Sequence, residues 1–275
     1  MPDRPFVSLT TDFGAAYTAI CAGVIYSIAP SANVLVLSDE VTPYAVTEGA
    51  MLLRQALPYL PAGVHVGIVD PGVGTPRRPV AVVTGRGDVL IGPDNGLLPP
   101  AAEVLGGAIH AYELADPAYR LPEVSTSFHG RDIFSPAAAH VANGLPPAEL
   151  GPRVPPSALR PLQVPPVTKD DDALTASTLY IDRFGSLVLA ARRDDLPATP
   201  AYGTPLEVTW TTRDGTPRTI RAPFVETFGS VAEGEPLLWV DSSGWLGLAV
   251  NQGSAAARFG LASDAVLTIR PATEE

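Results

Sequence analysis

Residues 64–74 have the sequence VHVGIVDPGVG, in which a short apolar run ends directly at an aspartate. The run Val64–Val69 is rich in β-branched residues and has the length of a buried strand, and Asp70 follows its carboxyl end. Phe6–Leu9 has the same pattern and leads into the polar turn Thr10–Gly14. Polar turns at strand carboxyl ends are typical of α/β proteins, in which the ligand site lies just beyond those ends.

Segments with helical spacing separate the strands of the first half, and each is followed by a proline or a glycine, as helices commonly are. This alternation predicts a Rossmann-like α/β domain in the first half of the chain. The predicted helices are Tyr17–Ile28, Val46–Leu57 and Arg131–Asn143, with a further helical stretch after the turn Pro93–Gly96. The further predicted strands are Asn33–Leu37, Pro79–Thr84 and Val89–Ile91.

The second half has a different pattern. Pro146–Pro166 contains eight prolines in 21 residues, which is typical of a linker or an extended surface crossing. Short strands separated by turn signals follow it and predict a small antiparallel β-barrel. We therefore predict an α/β domain over residues 1–165 and a β-barrel domain over residues 166–275. The strands predicted in the second domain are Leu174–Ile181, Leu187–Ala190, Leu206–Thr211, Thr219–Ala222, Leu237–Val240 and Val266–Ile269, with a short helix at Ser254–Phe259.

The composition excludes several classes of protein. The chain has 275 residues, of which 46% are hydrophobic and 17% charged, and this argues against intrinsic disorder. The net charge of −11 argues against nucleic-acid binding, because an acidic surface repels phosphate backbones. The longest apolar run, Ala15–Pro30, is interrupted by polar residues, and no signal peptide is evident, so we expect a cytoplasmic protein without a membrane span.

We expect neither a disulfide nor a metal site. The single cysteine, Cys21, has no partner for an internal disulfide. It lies among apolar helical residues, which favours a buried structural thiol over a catalytic nucleophile. The sequence has no H-x-x-x-H spacing and no carboxylate-rich calcium loop.

Three polar clusters occupy positions where an α/β fold places its site: Asp12, Asp70 and the segment Thr126–Asp132. Each also has a simpler structural explanation. An aspartate after a strand commonly forms a turn or caps a helix, and His129 is compatible with an ordinary loop histidine. Arg77 and the arginine after it are compatible with a solvated surface pair. The Asp-Pro-Gly-Val-Gly block matches neither a dinucleotide fingerprint nor a P-loop.

Six blocks of sequence occur together in the order found in one known family. They are Leu9–Gly14 (LTTDFG), Val69–Thr75 (VDPGVGT), Gly92–Leu98 (GPDNGLL), Ser127–Phe134 (SFHGRDIF), Asp182–Gly185 (DRFG) and Ala249–Gly253 (AVNQG). On these blocks, which extend over nearly the whole chain, the sequence resembles the S-adenosyl-L-methionine hydroxide adenosyltransferases. Their relatives, the fluorinase and the chlorinase, attack the same carbon atom with halide.

The resemblance implies hydrolysis of S-adenosyl-L-methionine to adenosine and L-methionine by activated water that attacks C5′. Asp70, Arg77 and His129 match the set that positions and activates water in the hydrolytic branch, and the halogenating branch lacks this set. A carboxylate–imidazole pair accepts a proton from water, and a guanidinium stabilises the developing hydroxide charge. The resemblance implies no metal and no organic cofactor.

The resemblance also implies substrate-binding residues. In the first domain, Asp12 matches an aspartate that accepts both ribose hydroxyls. Tyr44 and Phe128 occupy aromatic positions beside the nucleoside, where each is equally compatible with plain packing. The matching residues of the second domain are Asp182 at the methionine ammonium group, Phe184 on adenine, Ser186 at the adenine edge, and Ser242 and Val250 at the methionine and adenine ends.

Two positions depart from the family pattern. Ser186 stands where the family usually has an asparagine whose amide pairs with the adenine edge, and a hydroxyl cannot make that two-point contact. This departure predicts weaker or altered adenine recognition. Ala22 stands where many relatives have a lysine, and nothing in the sequence explains the loss.

Three alternatives to hydrolysis stay open at this point. The same fold is compatible with chloride or another halide as nucleophile, and with a non-catalytic sensor of adenosine or S-adenosylmethionine; a metallohydrolase is a more distant alternative. The family resemblance further implies a homotrimer, in which each site combines the first domain of one subunit with the second domain of the next. The expected partner is a small-molecule substrate, with neither nucleic acid nor a membrane.

Overall fold

The computed structural model describes residues 4–170 and 172–272. The chain forms two compact units, and the division falls between Gln163 and Val164. Each unit has its own sheet and its own buried core. Of the helices within the described ranges, none has the length and apolarity needed to cross a membrane.

Over residues 4–163, the first unit contains seven strands and four α-helices. The strands are β1 (Phe6–Thr11), β2 (Asn33–Ser38), β3 (Val64–Ile68), β4 (Pro79–Thr84), β5 (Val89–Pro93), β6 (Ala108–Glu113) and β7 (Arg153–Val154). The helices are α1 (Gly14–Ile28), α2 (Val46–Ala56), α3 (Pro99–Val104) and α4 (Ser135–Ala142). The strands form one sheet in the order β2-β1-β3-β5-β4-β6-β7. The half from β2 to β5 is parallel, whereas β4 runs antiparallel to both β5 and β6.

The second unit is an antiparallel, nearly closed sheet of eight strands, so the predicted fold class is confirmed. The strands are β8 (Thr168–Lys169), β9 (Leu174–Ile181), β10 (Leu187–Arg192), β11 (Pro205–Thr211), β12 (Pro217–Pro223), β13 (Pro236–Val240), β14 (Trp245–Val250) and β15 (Val266–Pro271), and the helix is α5 (Ala255–Phe259). The main path is β12-β11-β15-β9-β10-β14-β13. A bridge between Phe224, just after β12, and Leu238 in β13 joins the two ends of this path.

No strand prediction covers the longer strands β6 and β14 or the two-residue strands β7 and β8. In β6, Ala111 is the one fully buried residue, so the strand lacks the apolar signal of its neighbours. In β14, Gly247 interrupts the apolar run. A Cβ at this position would lie 2.4 Å from the ring of Trp239, so the packing of that ring requires glycine. The glycine interrupts the apolar pattern from which a strand is predicted.

The proline-rich segment is packed onto the first unit and is not a free linker. Leu150 and Val154 are buried, and β7 extends the sheet by pairing with β6. Asp94 accepts the backbone N–H of Arg160 at 2.7 Å, which ties the segment down further along. The alternative of an extended surface crossing therefore describes this segment better than a flexible connection.

The core of the first unit lies between the sheet and the helices α1 and α4. Leu9, Ile25 and Phe134 are among its fully buried side chains. Cys21 is also fully buried there, which confirms a structural thiol, and burial raises its pKa to about 11. The core therefore fixes α1 and α4 against the strands whose carboxyl ends carry the candidate site.

Candidate active site

A small cavity lies beyond the carboxyl ends of β1 and β3, where an α/β fold places its ligand site. Its volume is about 150 Å³. Five of the six residues predicted for this half of the site line it: Asp12, Tyr44, Asp70, Phe128 and His129. The other lining residues are Phe13, Ile68, Val73, Ser127 and Gly130. The sixth predicted residue, Arg77, contacts both Asp70 and His129.

Arg77 joins Asp70 to His129. Its Nε donates to both carboxylate oxygens of Asp70 at 3.0 Å, and its Nη2 donates to Oδ2 of Asp70 and, at 2.8 Å, to Nδ1 of His129. Arg77 is 8% exposed, so the alternative of a solvated surface arginine is wrong. A buried two-point ion pair of this kind fixes the geometry of both partners. The guanidinium stands between the carboxylate and the imidazole, so the three side chains form a row in place of a direct carboxylate–imidazole pair.

The hydrogen bond from Arg77 decides which nitrogen of His129 carries a proton. A guanidinium only donates, so Nδ1 accepts and the neutral imidazole carries its hydrogen on Nε2. Burial lowers the pKa of His129 below its usual value of 6.5, and the charge of Arg77 lowers it further, although nearby carboxylates oppose this. His129 is therefore a neutral N–H donor at pH 7.

A turn of π-helix places His129. Gly130–Phe134 forms this turn and leads directly into α4, so the helix predicted over Arg131–Asn143 begins one residue early and with a wider turn. π-turns are rare, and they are frequent at functional sites. His129 is the residue immediately before the turn.

The loops that carry Asp70 and His129 are in contact. Gly74 has a φ of +75°, and a Cβ there would lie 2.4 Å from the carbonyl oxygen of Thr126. Only glycine permits both this backbone conformation and this close approach. The Gly74–Thr126 contact therefore sets the distance between the two loops, and with it the reach from Arg77 to His129.

Asp12 and Tyr44 form a second contact at the cavity. The backbone N–H of Tyr44 donates to Oδ2 of Asp12 at 2.8 Å. Tyr44 has a φ of +69°, which is rare for a bulky residue, and it is 74% exposed. Strained backbone conformations of this kind cluster at ligand-binding positions. The exposed ring favours a ligand contact over the half-buried packing role for Tyr44.

Phe128 both packs and lines the cavity. Its half-buried ring makes edge contacts with the rings of Phe13 and Tyr17, with centroid distances of 5.7 and 5.5 Å. The guanidinium of Arg131 lies 5.2 Å from the centroid of the Phe128 ring. The two roles considered for Phe128 are therefore compatible with each other.

The second unit has a larger cavity, with a volume of about 800 Å³. Four of the five residues predicted for this half of the site line it: Asp182, Phe184, Ser186 and Val250. The other lining residues are Phe228, Trp239, Asn251, Gln252, Gly253 and Ser254. Phe184 is 77% exposed, which suits a stacking platform for a planar ring.

Asp182 also shapes the turn in which it lies. Its Oδ1 accepts the backbone N–H groups of Phe184 at 2.9 Å and of Ser186 at 2.8 Å, which is the behaviour of a turn-forming aspartate. Gly185 completes the turn with a φ of +83°. The structural and binding roles of Asp182 are compatible, because Oδ1 holds the turn and leaves Oδ2 for a ligand.

The structure does not bring Ser242 to this cavity. β10 and β14 pair antiparallel, so that Leu187 at the start of β10 lies opposite Leu248 near the end of β14. The turn 182–186 precedes β10 and the turn 241–244 precedes β14, so the two turns lie at opposite ends of this ladder. Ser242 is exposed in the second turn and does not line the cavity with the other residues predicted for this unit.

Several lining residues of the larger cavity were missed by sequence reasoning. Asn251 and Gln252 belong to the AVNQG block, and Gln252 has a φ of +53°, so the block itself was the available signal. Phe228 stands in a short 3₁₀ turn, and its ring packs 5.1 Å from that of Trp239. No apolar periodicity surrounds Phe228, and nothing in its sequence context marks it.

The two cavities together define a class of protein. A buried carboxylate–guanidinium–imidazole row beside a cavity is typical of enzymes that move protons. Within residues 4–170 and 172–272, no group of three or more His, Cys, Asp or Glu side chains could hold a metal ion. The exposed aromatic rings of Tyr44 and Phe184 suit a planar heterocycle. These features define a two-unit enzyme that acts on a small organic molecule.

Comparison with known proteins assigns the family. The model of the SAM hydroxide adenosyltransferase N-terminal domain matches residues 7–151, and that of the C-terminal domain matches residues 176–268. The chain belongs to the SAM hydroxide adenosyltransferase family. The resemblance found in the six sequence blocks is thus confirmed.

Individual relatives match nearly the whole chain. A Salinispora tropica protein named (R)-S-adenosyl-L-methionine hydrolase is 45% identical over 95% of this chain and 96% of its own length. A fluorinase of an Actinoplanes species is 28% identical over 98% of each chain. The crystal structure of a conserved protein from Thermotoga maritima has a TM-score of 0.84 and 29% identity, covering 96% of this chain and 99% of the other.

Proposed function

We propose that this protein hydrolyses S-adenosyl-L-methionine to adenosine and L-methionine. The observation that carries the proposal is the buried row Asp70–Arg77–His129 at the same cavity as Asp12. The function is that of relatives at 38–45% identity, which are named for this hydrolysis.

The reaction is a displacement at C5′. The oxygen of water forms a bond to C5′ while the C5′–S bond breaks. The electron pair of the broken bond goes to sulfur, which leaves as the neutral thioether of methionine. The leaving group needs no proton, and the one proton released comes from the attacking water. The protein must align water with the C–S bond and accept that proton.

Asp70 accepts the proton in this mechanism, and His129 orients the water. Both oxygens of Asp70 are held by Arg77 and keep further lone pairs for a water proton, whereas Nδ1 of His129 is occupied and its Nε2 carries hydrogen. The charge of Arg77 stabilises the hydroxide character that develops on the water oxygen. General-base catalysis of this kind contributes about 10²–10⁴-fold to the rate.

The first unit binds the ribose in this proposal. Asp12 accepts hydrogen bonds from the ribose hydroxyls, and its contact with the strained backbone of Tyr44 holds the carboxylate in place. Tyr44 and Phe128 contact the nucleoside with their rings.

The second unit binds the adenine and the methionine ammonium group. Phe184 stacks on adenine, with Ser186 and Val250 at the adenine edge, and Oδ2 of Asp182 faces the ammonium group. Ser242 lies at the other end of the β10–β14 ladder and outside this cavity, and its contact with the methionine end stays a prediction.

The names of the relatives support the (R) configuration at sulfur as the preferred substrate. Inversion at sulfur redirects the methionine arm relative to the ribose, and one site cannot align both epimers equally well with the same water. A halide nucleophile is the less favoured alternative, because a halide has no proton to give up and therefore has no use for Asp70.

Hydrolysis in H₂¹⁸O tests this proposal. Chromatography and mass spectrometry should show adenosine carrying one ¹⁸O at its 5′ oxygen, unlabelled methionine, and faster turnover of the (R) epimer. Added chloride should not change the products. A 5′-chloro nucleoside, ¹⁸O in methionine, or substrate that stays bound and uncleaved over hours would each contradict hydrolysis at C5′.

We also infer a cytoplasmic homotrimer, in which each site combines the first unit of one subunit with the second unit of the next. Helix α1 supports assembly, because it has no charged residue and exposes Tyr17, Ile20 and Tyr26. The neighbouring edge strand β2 exposes Leu35 and Val36. Monomeric proteins rarely leave so much apolar surface uncovered, and a contact repeated by three-fold rotation covers it in a closed ring.

A further inference from the structure

Asp132 is a fully buried carboxylate that the proposed reaction does not use. It lies in the π-turn three residues after His129 and is not among the residues that line the cavity. An ionised carboxylate is costly to bury unless several donors satisfy it, so the partners of Asp132 show what it holds together.

The carboxylate of Asp132 binds residues on both sides of His129. Its Oδ1 accepts Nε of Arg131 at 2.6 Å, and its Oδ2 accepts Nη2 of Arg131 at 3.1 Å. Oδ2 also accepts the backbone N–H of Ser125 at 2.8 Å, and the carbonyl oxygen of Asp132 accepts the N–H of Leu121 at 2.9 Å. The loop 121–128 is thereby folded around this one residue.

The same loop leads to His129. Oγ of Ser125 accepts the backbone N–H of Phe128, the residue directly before His129, at 2.9 Å. The guanidinium of Arg131, which pairs with Asp132, lies over the ring of Phe128. The segments on both sides of His129 are thus tied together, because Ser125 before it and Arg131 after it both bind the carboxylate of Asp132.

We propose that Asp132 is a positioning residue for the hydrolysis: it fixes the loop 121–128 and the π-turn so that Nδ1 of His129 meets Nη2 of Arg77. This inference rests on the proposed function. The contact between the two nitrogens is 2.8 Å, and a displacement of about 1 Å would break it. His129 would then be free to turn away from the water that it orients.

The charge of Asp132 also acts on His129. Burial, Arg77 and Arg120 lower the pKa of His129, whereas the carboxylates of Asp70 and Asp132 raise it. Burial also raises the pKa of Asp132, but the hydrogen bonds that it receives outweigh burial and keep this pKa below its usual value. Removal of the Asp132 charge should therefore lower the pKa of His129 further.

The substitution Asp132→Asn tests the proposal, with Asp88→Asn as a matched control. Asparagine keeps the shape and can accept the N–H of Ser125, but it loses the charge that pairs with Arg131. Asp88 is equally buried and likewise pairs with a nearby arginine, Arg86. It precedes β5 and therefore lies at the amino ends of the parallel strands, opposite to the end that carries the cavity. Both substitutions should lower the melting temperature. Only Asp132→Asn should lower kcat, by about 10-fold or more, with KM changed less than about threefold.

Two further measurements separate positioning from a loss of structure. In a His129→Ala background, Asp132→Asn should have no additional effect on kcat, because it acts through His129. NMR titration of the His129 ring should show a lower pKa in Asp132→Asn and no change in Asp88→Asn. This second measurement depends neither on turnover nor on the identity of the substrate.

A folded Asp132→Asn protein with wild-type kcat and an unchanged His129 titration would overturn the inference, and so would an equal loss of kcat in the His129→Ala background. If the wild-type protein leaves S-adenosylmethionine intact while the His129 titration moves as expected, the proposed function fails and the positioning role stands. Should Asp132→Asn not fold, Arg131→Met breaks the pair from its more exposed side, and the same kcat and double-mutant outcomes apply.

Discussion

At the scale of the residue, the protonation of His129 is controlled by Arg77. Protonation at Nδ1 would break the hydrogen bond from Arg77 and place two cations side by side. Because burial and Arg77 lower the pKa of His129, kcat/KM should stay constant through neutral pH and fall only below pH 6.5. A pH–rate profile with an acidic limb centred above 6.5 would show that His129 acts in a different protonation state.

The carboxylate of Asp70 is the second residue whose role can be isolated. Asp70→Asn keeps the shape and one acceptor for Arg77 but cannot take a proton from water. We expect kcat to fall about 10²-fold or more, with KM changed far less, because the group acts on the nucleophile. Asp94→Asn is the control, since Asp94 is also buried and paired with an arginine, Arg78, and lines neither cavity. Similar turnover in the two variants would remove Asp70 as the proton acceptor.

Sequence could place site residues together where a chemical block carries them, and it could not place residues whose position depends on strand register. Asp12, Asp70 and His129 stand in ordered blocks at strand or helix ends, and the structure brings all three to one cavity. Ser242 and Phe228 show the limit. Which end of a ladder a hairpin occupies is set by pairing between distant strands, and spacing along the chain does not contain that information.

At the scale of the element, the fold was predictable wherever burial leaves a periodic apolar pattern. β1, β3 and α2 have such a pattern, whereas β6 is mostly half-buried and β14 is interrupted by Gly247. The π-turn 130–134 was not predictable either. A helical sequence pattern does not distinguish this π-turn from an α-turn.

The loop contact at Gly74 gives a prediction at this scale. Gly74→Ala places a Cβ 2.4 Å from the carbonyl oxygen of Thr126, so the loop that carries Asp70 must move away from the loop that carries His129. Gly87→Ala is the matched control: Gly87 also has a positive φ, of +94°, but a Cβ there meets nothing within 4 Å.

Both alanine variants should lose about 1–3 kcal/mol of unfolding free energy through backbone strain, measured by denaturant unfolding. Only Gly74→Ala should also lower kcat, since it alone changes the spacing of the catalytic loops. Equal kcat values for the two folded variants would show that the loop contact has no effect on the reaction.

At the scale of the whole molecule, the proposed substrate contacts are shared between two units. Asp12 and Asp70 belong to the first unit, and Asp182 and Phe184 belong to the second. The packing of the proline-rich segment onto the first unit leaves little free chain before β8 begins at Thr168. In the proposed trimer, the symmetry of the assembly would therefore pair the units of neighbouring subunits, without a long flexible connection.

Complementation between two inactive variants tests this assembly. Asp70→Ala disables the first unit of a chain and Phe184→Ala disables the second, so each homotrimer alone should be inactive or nearly so. If each site combines units of neighbouring subunits, random mixing by co-expression gives about one site in four with both halves intact, since each half is intact with a probability of about one half. We expect about a quarter of the wild-type activity per site, together with a trimer mass in sedimentation.

Ile20→Glu, on the uncharged exposed face of α1, should abolish both the trimer and this regained activity. Activity no greater than that of the separate variants would place both halves of each site in one chain, and a fully active monomer in sedimentation would contradict the assembly itself.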